Sequence, residues 1–309
     1  MEYVKIKVDE AKAEEIREFY AAETNSNPKN QYEYFRALTP DGVEVICYRS
    51  QKLYTIVFAG EKETVLDEAS IFADNVALSA KRTEALPEYW EDVHAQIGSD
   101  EVGVGDFFGG FYVAGVYLEP ADVTFIDSLG IADSKKMNDS RILEVAPLLR
   151  ARLKSHVITA SAKKINDLTA KGWSTHKILA NLHNLTHQKL LERYNLSTHI
   201  NVYIDQFESE GVYRHYLGPT VVKNPLVFQT KGESYYPSVA AASVLARYAF
   251  LKDWEATEKI LGTAIPKGAG LAVDKVFIQL VKAKGLTNME EYVKKLFRNY
   301  KDLAGKENI

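Results

Sequence analysis

Residues 81–95 are polar, are punctuated by Pro87, and separate two different rhythms of apolar residues. Before them, apolar residues alternate in short strands at 3–8, 31–38, 43–50 and 53–59. Pro40-Asp41-Gly42 and Ser50-Gln51-Lys52 supply the turns between the last three. Helical spacing covers 9–23, with Asp9 as the N-cap, and 62–79. After the break the alternation lengthens. Strands are expected at 96–100, 111–119, 156–162 and 200–205. Helices are expected at 139–153, 163–170, 175–194, 237–255, 274–284 and 288–297, and Pro237 suits a first helical position. The chain is therefore expected to hold a small α+β domain over 1–80, a linker over 81–95 and an α/β domain over 96–309.

Composition excludes several classes. Hydrophobic residues make up 46% and charged residues 26%, so ordinary cores can be buried. No apolar run approaches the roughly 18 residues of a membrane helix. Met1-Glu2-Tyr3-Val4-Lys5 does not read as a signal peptide. Cys47 is the only cysteine, which excludes an internal disulfide and a cysteine-built zinc site. A reducing, cytoplasmic setting is expected. His176, His187, His199 and His215 follow no zinc spacing and receive no role. The net charge of −4 is unevenly spread: −6 over 1–80, −8 over 81–132, +7 over 133–194 and +5 over 223–309. Such a contrast either places phosphates beside acidic residues or reflects solvated helix faces.

The chemistry is densest at Gly98-Ser99-Asp100-Glu101-Val102-Gly103-Val104-Gly105-Asp106. A strand delivers two adjacent carboxylates into a glycine-rich turn. Adjacent carboxylates repel, so the pair calls for a cation or a shared proton. Hard oxygen ligands suit Mg²⁺ or Mn²⁺. Asp205 ends the apolar strand Ile200–Asp205, and Glu233 precedes the alanine-rich helix. Each either joins that cation site or serves its own segment, as a cap for Asp205 and as a helix N-terminal charge for Glu233.

These segments resemble a known family. Ile97–Gly109 is similar to the opening motif of ribonuclease HIII, within the type 2 ribonuclease H superfamily. Ala132-Asp133-Ser134-Lys135-Lys136-Met137, Lys171–Asn184, Val202–Asp205, Lys231–Ser234, Val239–Arg247 and Ile265–Ala269 follow in the family's order. The resemblance covers roughly residues 95–300, and 1–80 matches the N-terminal extension of that subfamily. Gly105-Asp106, where ribonuclease HII usually has Gly-Pro, favours the HIII type. Val104 departs from a frequent Thr, Gly110 from a frequent Pro and Met137 from the usual Leu.

The resemblance implies a ribonuclease H fold, a mixed sheet with helices, preceded by a domain similar to half of a TATA-box-binding protein that helps hold the substrate. It implies an endonuclease that hydrolyses the RNA strand of RNA–DNA hybrids. Two divalent ions, Mg²⁺ or Mn²⁺, would be held by Asp100, Glu101, Asp205 and Glu233, with Asp100 as the bridge, leaving 5′-phosphate and 3′-hydroxyl ends. A monomer without membrane attachment is expected.

Substrate contacts are expected from the backbone of Gly103, Val104 and Gly105, which suits reading a 2′-hydroxyl. Ser134, Lys135 and Lys136 either meet flanking phosphates or form an exposed turn. Asn181 and Asn184, three apart on one helix face, either touch the nucleic-acid backbone or satisfy each other. Tyr32, Tyr34 and Arg36 alternate along one strand face, for stacking or for packing. Two rival readings remain. Asp100–Asp106 with Gly109-Gly110 loosely resembles the phosphate loop of ribokinase-like sugar kinases. A non-catalytic hybrid-binding protein is the other.

Overall fold

The computed structural model describes residues 2–22, 33–50, 53–73, 90–131 and 137–303. The chain divides into two compact units, 1–85 and 86–309. Ser134, Lys135, Lys136 and Tyr32 lie outside the described residues, as do 74–79 of the second expected helix.

The first unit is a four-stranded antiparallel sheet with two helices. Its elements are β1 (Glu2–Val8), α1 (Glu10–Phe19), β2 (Glu33–Leu38), β3 (Glu44–Ser50), β4 (Leu53–Gly60) and α2 (Lys62–Ser70). The strand order is β1-β4-β3-β2. Asp9 caps α1 by accepting the Lys12 N–H at 2.9 Å. Val4, Ile6, Phe35, Val45, Cys47, Ile56 and Phe58 bury one sheet face with Ala13, Ile16 and Val65 of the helices. Burial pushes the Cys47 thiol up to about 12, so it is an inert packing group.

One expectation fails in β2. Glu33 pairs with Tyr48 but Phe35 pairs with Cys47, so the register shifts between them. The extra residue, Tyr34, turns to the helix side, where its hydroxyl donates to Glu14 of α1 and its ring meets Tyr54 at 5.2 Å. Arg36 pairs with Ile46 and is gripped by Glu33 and Glu44. The bulge thus separates Tyr34 from Arg36, which simple alternation places on one face.

The second unit holds a mixed five-stranded sheet. Its strands are β5 (Gln96–Val102), β6 (Phe111–Leu118), β7 (Lys154–Ala160), β8 (Asn201–Asp205) and β9 (Leu226–Gln229), in the order β7-β6-β5-β8-β9. The β5–β6 and β6–β7 pairs are antiparallel, while β5–β8 and β8–β9 are parallel. The helices are α3 (Val123–Ser128), α4 (Asp139–Arg152), α5 (Ala162–Ala170), α6 (Thr175–Tyr194), α7 (Glu210–Leu217), α8 (Pro237–Leu261), α9 (Leu271–Lys284), α10 (Leu286–Met289) and α11 (Arg298–Leu303). Among the described residues no helix is long and apolar enough to cross a membrane.

Short elements are where sequence and structure part. The helix expected at 288–297 does not form. Met289 and Val293 have helical spacing, but the Lys294 N–H donates to Phe107 and Val293 bridges to Phe108. Tertiary hydrogen bonds to the 107–109 loop replace the helical ladder. The α8 helix continues to Leu261, where Gly262 at φ +75° ends it.

Two glycines, Gly98 in β5 and Gly115 in the neighbouring β6, let helices close on the two faces of the sheet. At Gly98 a Cβ would lie 2.3 Å from the Val239 nitrogen, so α8 presses on that face of β5. At Gly115 a Cβ would lie 2.6 Å from Thr186 Cγ2 and 2.8 Å from Leu190 Cδ1, so α6 presses on the other face. Ser238 Oγ donates to buried Gln96 at 2.6 Å and pins the start of α8 to the start of β5. Gly98→Ala must push α8 backbone away. It is expected to lower the urea midpoint of the second unit by an amount equivalent to about 3 kcal/mol. An unchanged midpoint would contradict this close approach.

Candidate active site

Strand alternation sends Gly98 and Asp100 to the α8 face and Ser99 and Glu101 to the α6 face. The parallel neighbour β8 pairs Ser99 with Ile204, so Asp205 stands level with Asp100 on the α8 side. Asp100, Glu101 and Asp205 line one cleft of about 360 Å³ with Val102, Asp106, Ile142, Ser243, Arg247, Phe250 and Lys267. Three of the four expected acids therefore share one cavity.

Glu233 stands apart from that wall. It lies in the short turn Gly232–Ser234 before α8 and is only 2% exposed. The turn is tied to the site, since the Gly232 N–H donates to Asp205 Oδ1 at 2.8 Å. Among the described residues no three carboxylate, thiol or imidazole groups close around a single point.

Electrostatics single out Asp100. Its carboxyl is held well above the usual range, first by burial, then by the charges of Glu101 and Asp205. Hydrogen bonds from Ser243 and from the Glu101 N–H, the latter at 2.7 Å, oppose this without cancelling it. A buried carboxylate beside two others is a demand for positive charge.

Glu101 is held from behind. His183 of α6 lies with Nε2 at 3.0 Å from Glu101 Oε2 and Nδ1 at 2.8 Å from Ser99 Oγ. His187 Nε2 lies 2.8 Å from the same Ser99 hydroxyl. His187, which follows no zinc spacing, thus has a place in the hydrogen-bonded line behind Glu101. The i, i+4 spacing of two histidines was the available signal.

A pair of cations faces the acids. Arg247 of α8 donates to Asp139 Oδ1 through Nε at 3.0 Å and Nη2 at 2.7 Å, and Lys267 Nζ donates to Asp139 Oδ2 at 2.6 Å. Burial pushes the Asp139 carboxyl up, but these two partners outweigh it and hold it below the usual carboxylate range. All three are partly exposed, so the bridges add little stability and mainly set position. Both cations fall within segments already singled out, Val239–Arg247 and Ile265–Ala269, where only the chemistry of the acids had been read.

The glycine turn is divided in use. Gly103 is buried at φ +98°, and a Cβ there would lie 2.4 Å from the Gly110 carbonyl oxygen. Its own carbonyl accepts the Asp106 N–H at 3.3 Å. Val104 packs on the cluster around Phe111 and Leu179. Gly105 is exposed, and among the described residues nothing lies within 4 Å of a Cβ there. Asp106 Oδ1 accepts the Gly268 N–H at 2.6 Å and so fixes the loop that carries Lys267.

The two asparagines are placed differently. Asn181 donates to the Lys177 carbonyl of its own helix at 2.8 Å. Asn184 is buried; its amide donates to the Thr220 carbonyl at 2.9 Å and accepts the Val222 N–H at 3.0 Å. That use of both ends makes Asn184 a strut between α6 and the segment before β9.

Comparison with known proteins gives this geometry a family. The sequence profile described as Ribonuclease HII matches residues 97–300. Ribonuclease HIII of Bacillus velezensis is 35% identical over 308 residues, covering 97% of this chain and 96% of that protein. The chain belongs to the ribonuclease HIII family. Ribonuclease HIII of Listeria monocytogenes serovar 1/2a is 31% identical over 296 residues, covering 95% of each chain. The crystal structure of Bst-RNase HIII in complex with Mn²⁺ is similar at 29% identity, with a TM-score of 0.66 over 97% of each chain. Membership makes the chain a ribonuclease H, an endonuclease, and removes the sugar-kinase reading.

The raised Asp100 carboxyl carries a stability consequence. The folded state keeps that proton to higher pH than the unfolded state. The penalty is therefore absent below the ordinary carboxylate range and grows as pH rises through it. In chelator at about pH 8, Asp100→Asn is expected to raise the unfolding free energy by about 1–3 kcal/mol. The gain should vanish toward about pH 4. Equal stability at both pH values would remove the charge repulsion inferred here.

Proposed function

We propose that this cleft hydrolyses the RNA strand of RNA–DNA hybrids with two divalent ions, Mg²⁺ or Mn²⁺, held by Asp100, Glu101, Asp205 and Glu233. The observation that carries the reading is one cavity lined by Asp100, Glu101 and Asp205 on one hand and Arg247 and Lys267 on the other. The donor set fits such ions: the groups are hard oxygens, and a cation relieves the repulsion that lifts the Asp100 carboxyl. A similar protein, Bst-RNase HIII, is known in complex with Mn²⁺. When bound, the ions would activate a water for in-line attack and stabilise the leaving 3′-oxygen, giving 5′-phosphate and 3′-hydroxyl ends.

The chain's own groups do the rest. Asp100, which feels both other charges, is the candidate to be shared between the ions. Gly232, whose N–H donates to Asp205 Oδ1, ties the turn that carries Glu233 to Asp205. Arg247 and Lys267, held by Asp139, take the phosphates beside the scissile one. The open backbone at Val104-Gly105 is suited to a 2′-hydroxyl, the group that distinguishes RNA from DNA. Because Gly103 is buried, it shapes that turn from beneath. Val104 contributes packing, so a missing threonine hydroxyl leaves the backbone contact intact. Ser134, Lys135 and Lys136 are assigned to flanking phosphates. Asn181 is the better placed of the two asparagines, since Asn184 is occupied as a strut. The first unit would hold the hybrid with its helix-free face, where Tyr3, Lys5, Tyr48, Thr55 and Val57 line a shallow depression.

The test is cleavage of an end-labelled hybrid in Mg²⁺ and in Mn²⁺, beside single-stranded RNA, duplex DNA and a duplex with one ribonucleotide. Cleavage confined to RNA, lowered by about 10²–10³-fold or more in Asp100→Asn, is expected. Tight hybrid binding without cleavage in either metal would instead establish a binding protein. For the cation pair, Arg247→Ala and Lys267→Ala should each flatten the salt dependence of hybrid affinity by a slope of about 1. An unchanged slope in both would place the phosphates elsewhere.

A further inference from the structure

Behind Glu101 lies a line of polar groups that packing alone does not require. Ser99, His183 and His187 are each 0% exposed. Three such groups serving only one another would cost more than apolar residues of the same size. Among the described residues their hydrogen-bonded outlet is the contact of His183 with Glu101.

The local fold is built to make this line. Ser99 pairs with Gly115 across β5 and β6, and the missing side chain at Gly115 lets α6 lie against the sheet there. His183 and His187, one turn apart on the buried side of α6, then both reach the Ser99 hydroxyl. Phe207, two residues beyond Asp205, stacks on the His183 ring with centroids 5.0 Å apart. The imidazole is clamped on its face and at both nitrogens.

The protons have one arrangement that satisfies every donor. The Glu101 carboxylate accepts from His183 Nε2–H. His183 Nδ1 then accepts the Ser99 O–H, and the Ser99 oxygen accepts His187 Nε2–H. His187 Nδ1 is left as a bare lone pair, and this buried atom has no hydrogen-bond partner among the described residues. The reverse order would strand an N–H there, which costs more than an unused acceptor. Burial keeps the His187 ring neutral, with its pKa lowered to about 3.

We propose that Ser99, His183 and His187 form a positioning relay that holds Glu101 Oε2 from behind, fixes this carboxylate in the wall of the cleft, and thereby sets its affinity for divalent cations. The inference rests on Glu101 being a metal ligand. His183 touches neither substrate nor metal; it acts through Glu101, and Ser99 and His187 act through His183.

The test measures Mn²⁺ binding by calorimetry on the full chain without substrate, together with kcat and KM on the hybrid. The variants are Ser99→Ala, His187→Met and His187→Gln. Gln keeps a donor where Nε2–H stood; Met keeps volume only. Ser99→Ala and His187→Met are expected to weaken Mn²⁺ binding by about 10-fold or more, within the range for groups that orient ligands. They should lower kcat at limiting metal and leave the KM for hybrid unchanged, while His187→Gln stays near the parent. If Ser99→Ala does not fold, the His187→Met and His187→Gln pair decides. Parent-like Mn²⁺ affinity in folded His187→Met overturns the relay while leaving the nuclease reading in place. Failure of the parent itself to bind Mn²⁺ overturns both.

Discussion

The catalytic unit depends on two adjacent carboxylates being carried by a strand and not by a helix or loop. Strand alternation turns Asp100 toward α8 and Glu101 toward α6, so neighbours in sequence approach the cleft from opposite faces of one sheet. That works only if both helices come close to β5. Gly98 admits α8, and Gly115 admits α6 beside Ser99. Asp205 joins at the same level because β8 runs parallel to β5 in register. The arrangement is costly, since burial and two like charges oppose ionisation of Asp100. Such cost is characteristic of sites selected for chemistry above stability.

The same cleft must keep cations near acids without letting them cancel. Arg247 and Lys267 would gain most by pairing with Asp100 or Asp205. Asp139, at the first position of α4, offers each of them a separate carboxylate oxygen and holds both at the cleft wall. Asp106 adds a second restraint by holding Gly268, the neighbour of Lys267. This gives a physical reason for an aspartate after Gly105. A proline at 106 would have no carboxylate for the Gly268 N–H and no N–H for the Gly103 carbonyl.

Much of this was legible in the sequence, for a reason. Long apolar alternation and caps are local properties, so β1, β5, β6, α1, α4 and α6 follow from spacing. Asp100 and Glu101 stood out because adjacent carboxylates on a strand repel, whereas Asp205 was open between a cation site and a cap and joined them only through the family resemblance. What was not legible depends on distant partners. The β9 strand has four residues and exists by pairing with β8. The 288–297 segment has helical spacing, yet its backbone is claimed by the 107–109 loop. Lys294 shows the same thing: an apparently solvent-seeking lysine is buried, with Nζ donating to the Phe108 and Gly109 carbonyls. Burial lowers its pKa to about 7. The bulge that turns Tyr34 inward depends on how β2 meets β3, which no single strand encodes.

The first unit works under a different constraint. Its net charge of −6 makes it a poor electrostatic clamp for a polyanion. The arginine on its helix-free face, Arg36, is neutralised by Glu33 and Glu44. Lys5 lies over Tyr3 at 5.1 Å from the ring centroid, beside Tyr48, Thr55 and Val57. Such a surface favours contact through flat, partly apolar side chains with a lysine or two, and so recognition of sugar and groove shape over phosphate density. Phosphate attraction would then fall mainly to the basic segments of the catalytic unit, where the sequence carries +7 over 133–194 and +5 over 223–309. If the first unit holds the hybrid as proposed, separating shape from charge in this way would let it select by shape without adding to the general attraction for polyanions.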